Sequence, residues 1–133
     1  MKHESFDEFL ARREVAARAY AEGDPDPMRN ITALSGTATA FTRDGGFARG
    51  ARAVNEANIR MAEDFEAGGT TRYEIEDCGA DGDVGYWTGF QHSEIVLAET
   101  GEHRPVRLRV TEVYRRIEGE WQRVHRHASP ANA

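Results

Sequence analysis

The chain has 133 residues, 39% hydrophobic and 30% charged, with a net charge of −6. That length fits one domain, residues 1–133, and no apolar run of about 18 residues exists to span a membrane. The acidic balance argues against a nucleic-acid partner, which needs a basic face, and the single cysteine, Cys78, excludes an internal disulfide framework and a cysteine-rich zinc site.

The N-terminal stretch MKHESFDEFLARREVAARAY lacks the apolar core of a signal peptide, so the cytoplasm is the expected location. Phe6, Phe9, Leu10, Ala16, Ala17 and Tyr20 recur at helical spacing and predict an amphipathic helix that ends at Gly23-Asp24-Pro25. A short helix is expected over Asp26 to Leu34 and a strand over Thr37 to Arg43, closed by a turn at Asp44-Gly45-Gly46. From Ala51 to about Glu66, the residues Val54, Ala57, Met61 and Phe65 share one helical face, with Gly68-Gly69 as the stop. The remainder reads as an antiparallel meander over Arg72–Cys78, Val84–Leu97, Val106–Arg116 and Trp121–Ala128. Helices gathered ahead of such a sheet indicate an α+β domain with the helices on one sheet face.

The last hairpin carries unusual polar chemistry, and strand alternation makes its loop length decisive. A three-residue loop, Ile117-Glu118-Gly119, sets Glu112 opposite Val124 and Val110 opposite Arg126. One face then holds Leu108, Val110, Glu112, Tyr114, Val124, Arg126 and Ala128; the other holds Arg109, Thr111, Val113, Arg115, Trp121, Arg123, His125 and His127. A two-residue loop, Glu118-Gly119, sets Glu112 opposite His125 as a carboxylate–imidazole pair. The longer loop separates apolar from polar residues better and is the preferred reading. It puts an acid and an arginine, Glu112 and Arg126, within mutual reach on the inner face.

The neighbouring long strand is expected to add Tyr86, Thr88 and Phe90 to that face. Tyr20, Met61 and Tyr114 complete the candidate pocket, whose apolar area suits a small hydrophobic or aromatic ligand. His125 and His127 have a spacing compatible with a metal, but no third ligand is placed beside them, so no metal is expected. No nucleophile motif, phosphate loop or dinucleotide fingerprint appears, and no cofactor is expected.

The ending RVTEVYRRIEGEWQRVHRHAS, supported by FTRDGGFARGARAV and YWTGFQH, resembles the nuclear transport factor 2-like superfamily in its bacterial SnoaL-like and ketosteroid-isomerase-like branch. The resemblance covers nearly the whole chain. It implies a cystatin-like α+β roll: a cone-shaped, curved antiparallel sheet wrapped around N-terminal helices, with a small-molecule pocket. It also implies a homodimer formed through the outer sheet face, here with Trp87, Val113, Trp121, His125 and His127. Beside ketosteroid isomerase, Glu112 falls at the protonated pocket carboxyl and Asp44 near the general base, while Ala16 stands where that enzyme has a tyrosine. The function so implied is a cofactor-independent acid–base isomerase, cyclase or dehydratase acting on a small apolar carbonyl compound. A non-catalytic ligand-binding or dimeric assembly module is the alternative.

Overall fold

Ser5 starts the first helix by accepting a hydrogen bond from the Glu8 amide at 3.1 Å, and Asp7 and Glu8 complement the helix dipole behind it. In the computed structural model, which describes residues 4–33 and 36–131, this helix is α1, Phe6–Ala21. It is followed by α2 (Asp26–Ile31), β1 (Thr39–Phe41), β2 (Phe47–Arg49), α3 (Ala51–Ala62), β3 (Phe65–Asp81), β4 (Val84–Leu97), β5 (His103–Ile117) and β6 (Glu120–Pro130). The expected end of the second helix at Leu34 lies outside the described residues.

The strands form one curved, unclosed sheet in the order β2-β1-β6-β5-β4-β3. Every pairing is antiparallel except β1 with β6, which is parallel, because β1 arrives from the helices on the same side as β6 begins. The helices lie on the inner face. Phe6 and Phe9 of α1 meet Trp121 and Tyr114 with ring centroids 5.1 and 4.9 Å apart. Burying a ring of this kind is worth on the order of 2 kcal/mol.

Three elements differ from the sequence expectation. The Asp44-Gly45-Gly46 turn leads into β2, a strand too short to carry a periodic signal. The third helix stops at Ala62, and Phe65 opens β3 instead of extending the helix. Gly68-Gly69 therefore lies inside a strand, at a register shift. A Cβ on Gly69 would fall 2.6 Å from the Ala21 carbonyl, so the glycine lets the end of α1 approach the sheet.

The final hairpin has the shorter of the two turns weighed, and a bulge that neither reading contained. The loop has two residues, Glu118 and Gly119, both with positive φ (52° and 84°), between paired Ile117 and Glu120. Pairing then shifts: Tyr114 faces Arg123, while Val113 faces His125, so Val124 is an extra residue in a bulge. The bulge reverses the alternation half-way along β6. Arg126 and Ala128 point inward, as the longer loop required, but Trp121 and Arg123 point inward too.

Candidate functional site

Glu112, at the centre of β5, is fully buried, with 0% of its surface exposed. Six donors converge on its carboxylate. Arg13 of α1 makes a bidentate pair, Nε to Oε1 at 2.9 Å and Nη2 to Oε2 at 2.7 Å. From β6, Arg123 Nη1 donates to Oε2 at 3.2 Å and Arg126 Nη1 at 2.7 Å. Trp87 Nε1 donates to Oε1 at 2.9 Å and shares its proton with the Tyr114 hydroxyl, which itself donates to Oε1. A second nitrogen of Arg126 donates to Gln91 Oε1 at 2.9 Å.

These contacts set the protonation states. Burial alone would raise the Glu112 pKa, but Arg13, Arg126 and Arg123 overcome it and hold the carboxyl well below its ordinary range. Arg13 is raised: burial opposes its charge, and Glu112 more than compensates. Arg123 is lowered by burial and by the two neighbouring arginines, yet a guanidinium stays charged at neutral pH. Burial pushes the Tyr73 phenol up to about 12 and also raises Tyr20 and Tyr114, so all three are neutral donors at pH 7.

In front of the arginines, on the side away from Glu112, a cavity of about 70 Å³ lies between α1, α3 and the inner sheet face. Tyr20, Met61 and Arg126, expected in the pocket, line it. So do Arg13, Arg123, Tyr73 and Asn58, which sequence reasoning missed. For Arg13 the signal was present: it occupies the slot between Phe9 and Ala16/Ala17 in the apolar stripe, and it is 1% exposed. For Arg123 the signal was the turn: a two-residue loop pairs it with Tyr114 on the inner face, and the longer loop preferred from the sequence turned it outward. Tyr114 sits behind Glu112 and is completely buried in the core rather than on the cavity wall.

Several expected positions are corrected. Tyr86, Thr88 and Phe90 are on the outer sheet face: Tyr86 donates to Asp77 at 2.6 Å, Thr88 pairs with Thr111 at 2.9 Å, and Phe90 lies under the Arg107 guanidinium at 4.4 Å. The inner residues of β4 are Gly85, Trp87, Gln91, Ser93 and Ile95. The apolar pattern misleads here because a Cβ on Gly85 would fall 2.5 Å from the Phe6 ring; a glycine faces the core so that α1 can dock. Trp87 and Trp121, expected at a dimer interface, are 0% and 1% exposed in the core. Val113, His125 and His127 do lie on the outer face, where Thr39 Oγ1 bonds His125 Nδ1 at 2.7 Å and Phe41 packs against His127 at 5.3 Å. Asp44 lies in the β1–β2 turn and accepts from Thr42 Oγ1 at 2.5 Å and the Gly46 amide at 3.1 Å. That arrangement is a local turn clasp, and Asp44 is not among the residues that line the cavity. Among the described residues, no three His, Cys, Asp or Glu side chains converge as metal ligands.

A SnoaL-like domain family model matches residues 13–133, nearly the whole chain. The chain belongs to the SnoaL-like domain family. This SnoaL-like domain has no sequence match among curated proteins. Its backbone is similar to a nuclear transport factor 2-like superfamily protein from Salmonella enterica serovar Typhimurium, with TM-score 0.78 and 17% identity over 95% of this chain and 88% of that one. A protein from Streptomyces avermitilis, provisionally named a dehydratase of the same family, aligns with TM-score 0.74 and 17% identity over 94% of each chain. A ketosteroid isomerase-like protein from Erwinia carotovora aligns with TM-score 0.68 and 21% identity over 96% of this chain and 100% of that one. At these identities the likeness establishes the fold, a curved-sheet α+β roll. Among the described residues, no helix of the SnoaL-like domain is long and apolar enough to cross a membrane.

Proposed function

We propose that this SnoaL-like domain holds a small organic molecule in the cavity between its helices and inner sheet face, and that the arginines meet that molecule. The observation that carries the reading is the wall itself. Apolar groups from Ala17, Met61, Phe65, Ile95 and Leu108 surround a few converging polar ones, the usual make-up of a small-molecule site. Glu112 is then an anchor rather than a proton carrier. A carboxylate held ionised by three guanidinium groups takes up no proton at neutral pH, and it presents no face to the cavity. This favours ligand binding over an isomerase, cyclase or dehydratase reaction run by Glu112.

A fragment screen by ligand-observed NMR tests the reading. Hits that lose binding when Met61→Trp fills the cavity support it; hits that bind the variant equally well, or no hits at all, sink it.

The outer sheet face supports a second proposal, a homodimer. Phe41, Phe47 and Tyr86 are exposed there, beside Val113 and His127. Glu74 sits toward the β3 edge, and Arg107, Arg109 and Arg115 sit on β5. Two such faces related by a two-fold axis can set the acidic edge of one against the basic strand of the other.

A further inference from the structure

The charges around Glu112 do not balance. Three guanidinium groups bear on one carboxylate, which leaves a surplus of two positive charges in a region where Arg13 and Arg123 are 1% and 2% exposed. Glu112 has no capacity to absorb more: a carboxylate offers about four acceptor positions, and it already receives six hydrogen bonds. No other acid helps, since the cavity lining contains Arg13, Arg43, Arg123 and Arg126 and neither aspartate nor glutamate.

The same region holds unpartnered donors. Among the described residues, Arg13 Nη1, Arg123 Nη2, the Tyr73 hydroxyl and Asn58 Nδ2 are buried with no hydrogen-bond partner, and all four belong to residues that line the cavity. The Arg13 guanidinium lies 5.4 Å from the centre of the Tyr73 ring, so at least these two are neighbours. Buried donors and buried positive charge are both costly when unanswered. An oxyanion answers both, because its oxygens match the edge of a guanidinium and accept from a phenol.

The rest of the wall selects the body of the ligand. Ala17, Met61, Phe65, Ile95, Val106 and Leu108 offer it only hydrocarbon and ring surface. The cavity measures about 70 Å³, more than a single water needs. We propose that the cavity binds a short-chain monocarboxylate, its carboxylate on Arg126 and the free edges of Arg13 and Arg123 with the Tyr73 hydroxyl, and its hydrocarbon body against the apolar wall. This deepens the small-molecule reading above and rests on it.

Isothermal titration with sodium hexanoate, 1-hexanol and inorganic phosphate, at matched ionic strength, tests the proposal. Hexanoate is expected to bind at least about tenfold tighter than 1-hexanol, the margin of one charge-assisted hydrogen bond. Arg126→Gln and Tyr73→Phe should each shrink that ratio; Tyr73→Phe removes a lone unpartnered hydroxyl and should fold normally. If 1-hexanol binds as tightly as hexanoate, the cavity is a small-molecule site without anion preference, and only this inference falls. Phosphate binding as tight as hexanoate would overturn it too, by removing the role of the hydrocarbon body. If none of the three binds, this inference falls, and the fragment screen decides the small-molecule reading separately.

Discussion

At the scale of single residues, Glu112 behaves as a keystone whose value lies in what it neutralises. Removing it leaves Arg13 and Arg123 buried without a counter-charge, a situation that costs about 3–5 kcal/mol. Glu112→Gln should therefore lower Tm by on the order of 10–20 °C, read by calorimetry. Its acid dependence has a definite sign. The folded-state pKa lies below the ordinary 4.5, so the stabilisation is complete above that pH and is lost as pH falls below it toward the depressed folded value. The wild type should lose stability through that acid window, and Glu112→Gln should lack this component. A parallel pH dependence in both proteins would mean that the carboxylate is not the group responsible. Arg13 illustrates the reading of single residues: a charged residue in the apolar slot of a helix marks a buried partner across the fold, although the sequence does not name the partner.

At the scale of elements, the β5–β6 hairpin decides which side chains reach the core. Its two-residue loop holds Glu118 at φ 52°, a conformation that costs a side-chain-bearing residue about 1 kcal/mol and that asparagine tolerates. Glu118→Asn should raise Tm by a few degrees, and an unchanged or lower Tm would show that Glu118 is held by something other than the turn. Val124 is the residue that the pairing skips. Deleting it would remove the bulge while each other residue of β6 keeps its β5 partner, so Trp121 and Arg123 stay in the core. The deletion variant should keep a native-like near-ultraviolet circular dichroism spectrum, because Trp121 and Tyr114 remain packed together in the core. A lost aromatic spectrum would mean that the strand slips register instead of closing over the deletion.

At the scale of the whole molecule, the curved sheet has two faces with different tasks. The inner face closes on the helices and the arginine cluster, and the outer face presents exposed Phe41 and Phe47 beside half-buried Val113. If that outer face joins two copies, Val113→Asp should shift the wild-type dimer to monomer in sedimentation velocity without changing hexanoate affinity. A wild type that sediments as a monomer at all accessible concentrations would remove the dimer. Dimerisation around Val113 would leave the sheet wall of the cavity free, because Gln91, Ser93, Leu108 and Arg126 lie on the opposite side of the sheet; of the outer-face residues named, only Phe41 also touches the cavity.

The sequence alone determined the class of fold, the first helix, the start of the third and the full extent of β4, because long periodic stretches and Gly- or Pro-marked turns are local signals. It also singled out Glu112 and Arg126 as an inward pair. It did not determine the phase of β4, since the inner face there is carried by Gly85, Gln91 and Ser93, whose places are set by Phe6 and the cavity. Arg123 was missed through the choice of the longer loop, and the bulge at Val124 that returns Arg126 to the inner face could not be found, because one extra residue in a strand leaves no periodic trace until pairing with its neighbour shows which partner is skipped. The meeting of Arg13, Arg123 and Arg126 on one carboxylate joins residues up to 99 positions apart. Only the closed fold, with α1 laid across the sheet, brings those charges together and fixes their balance.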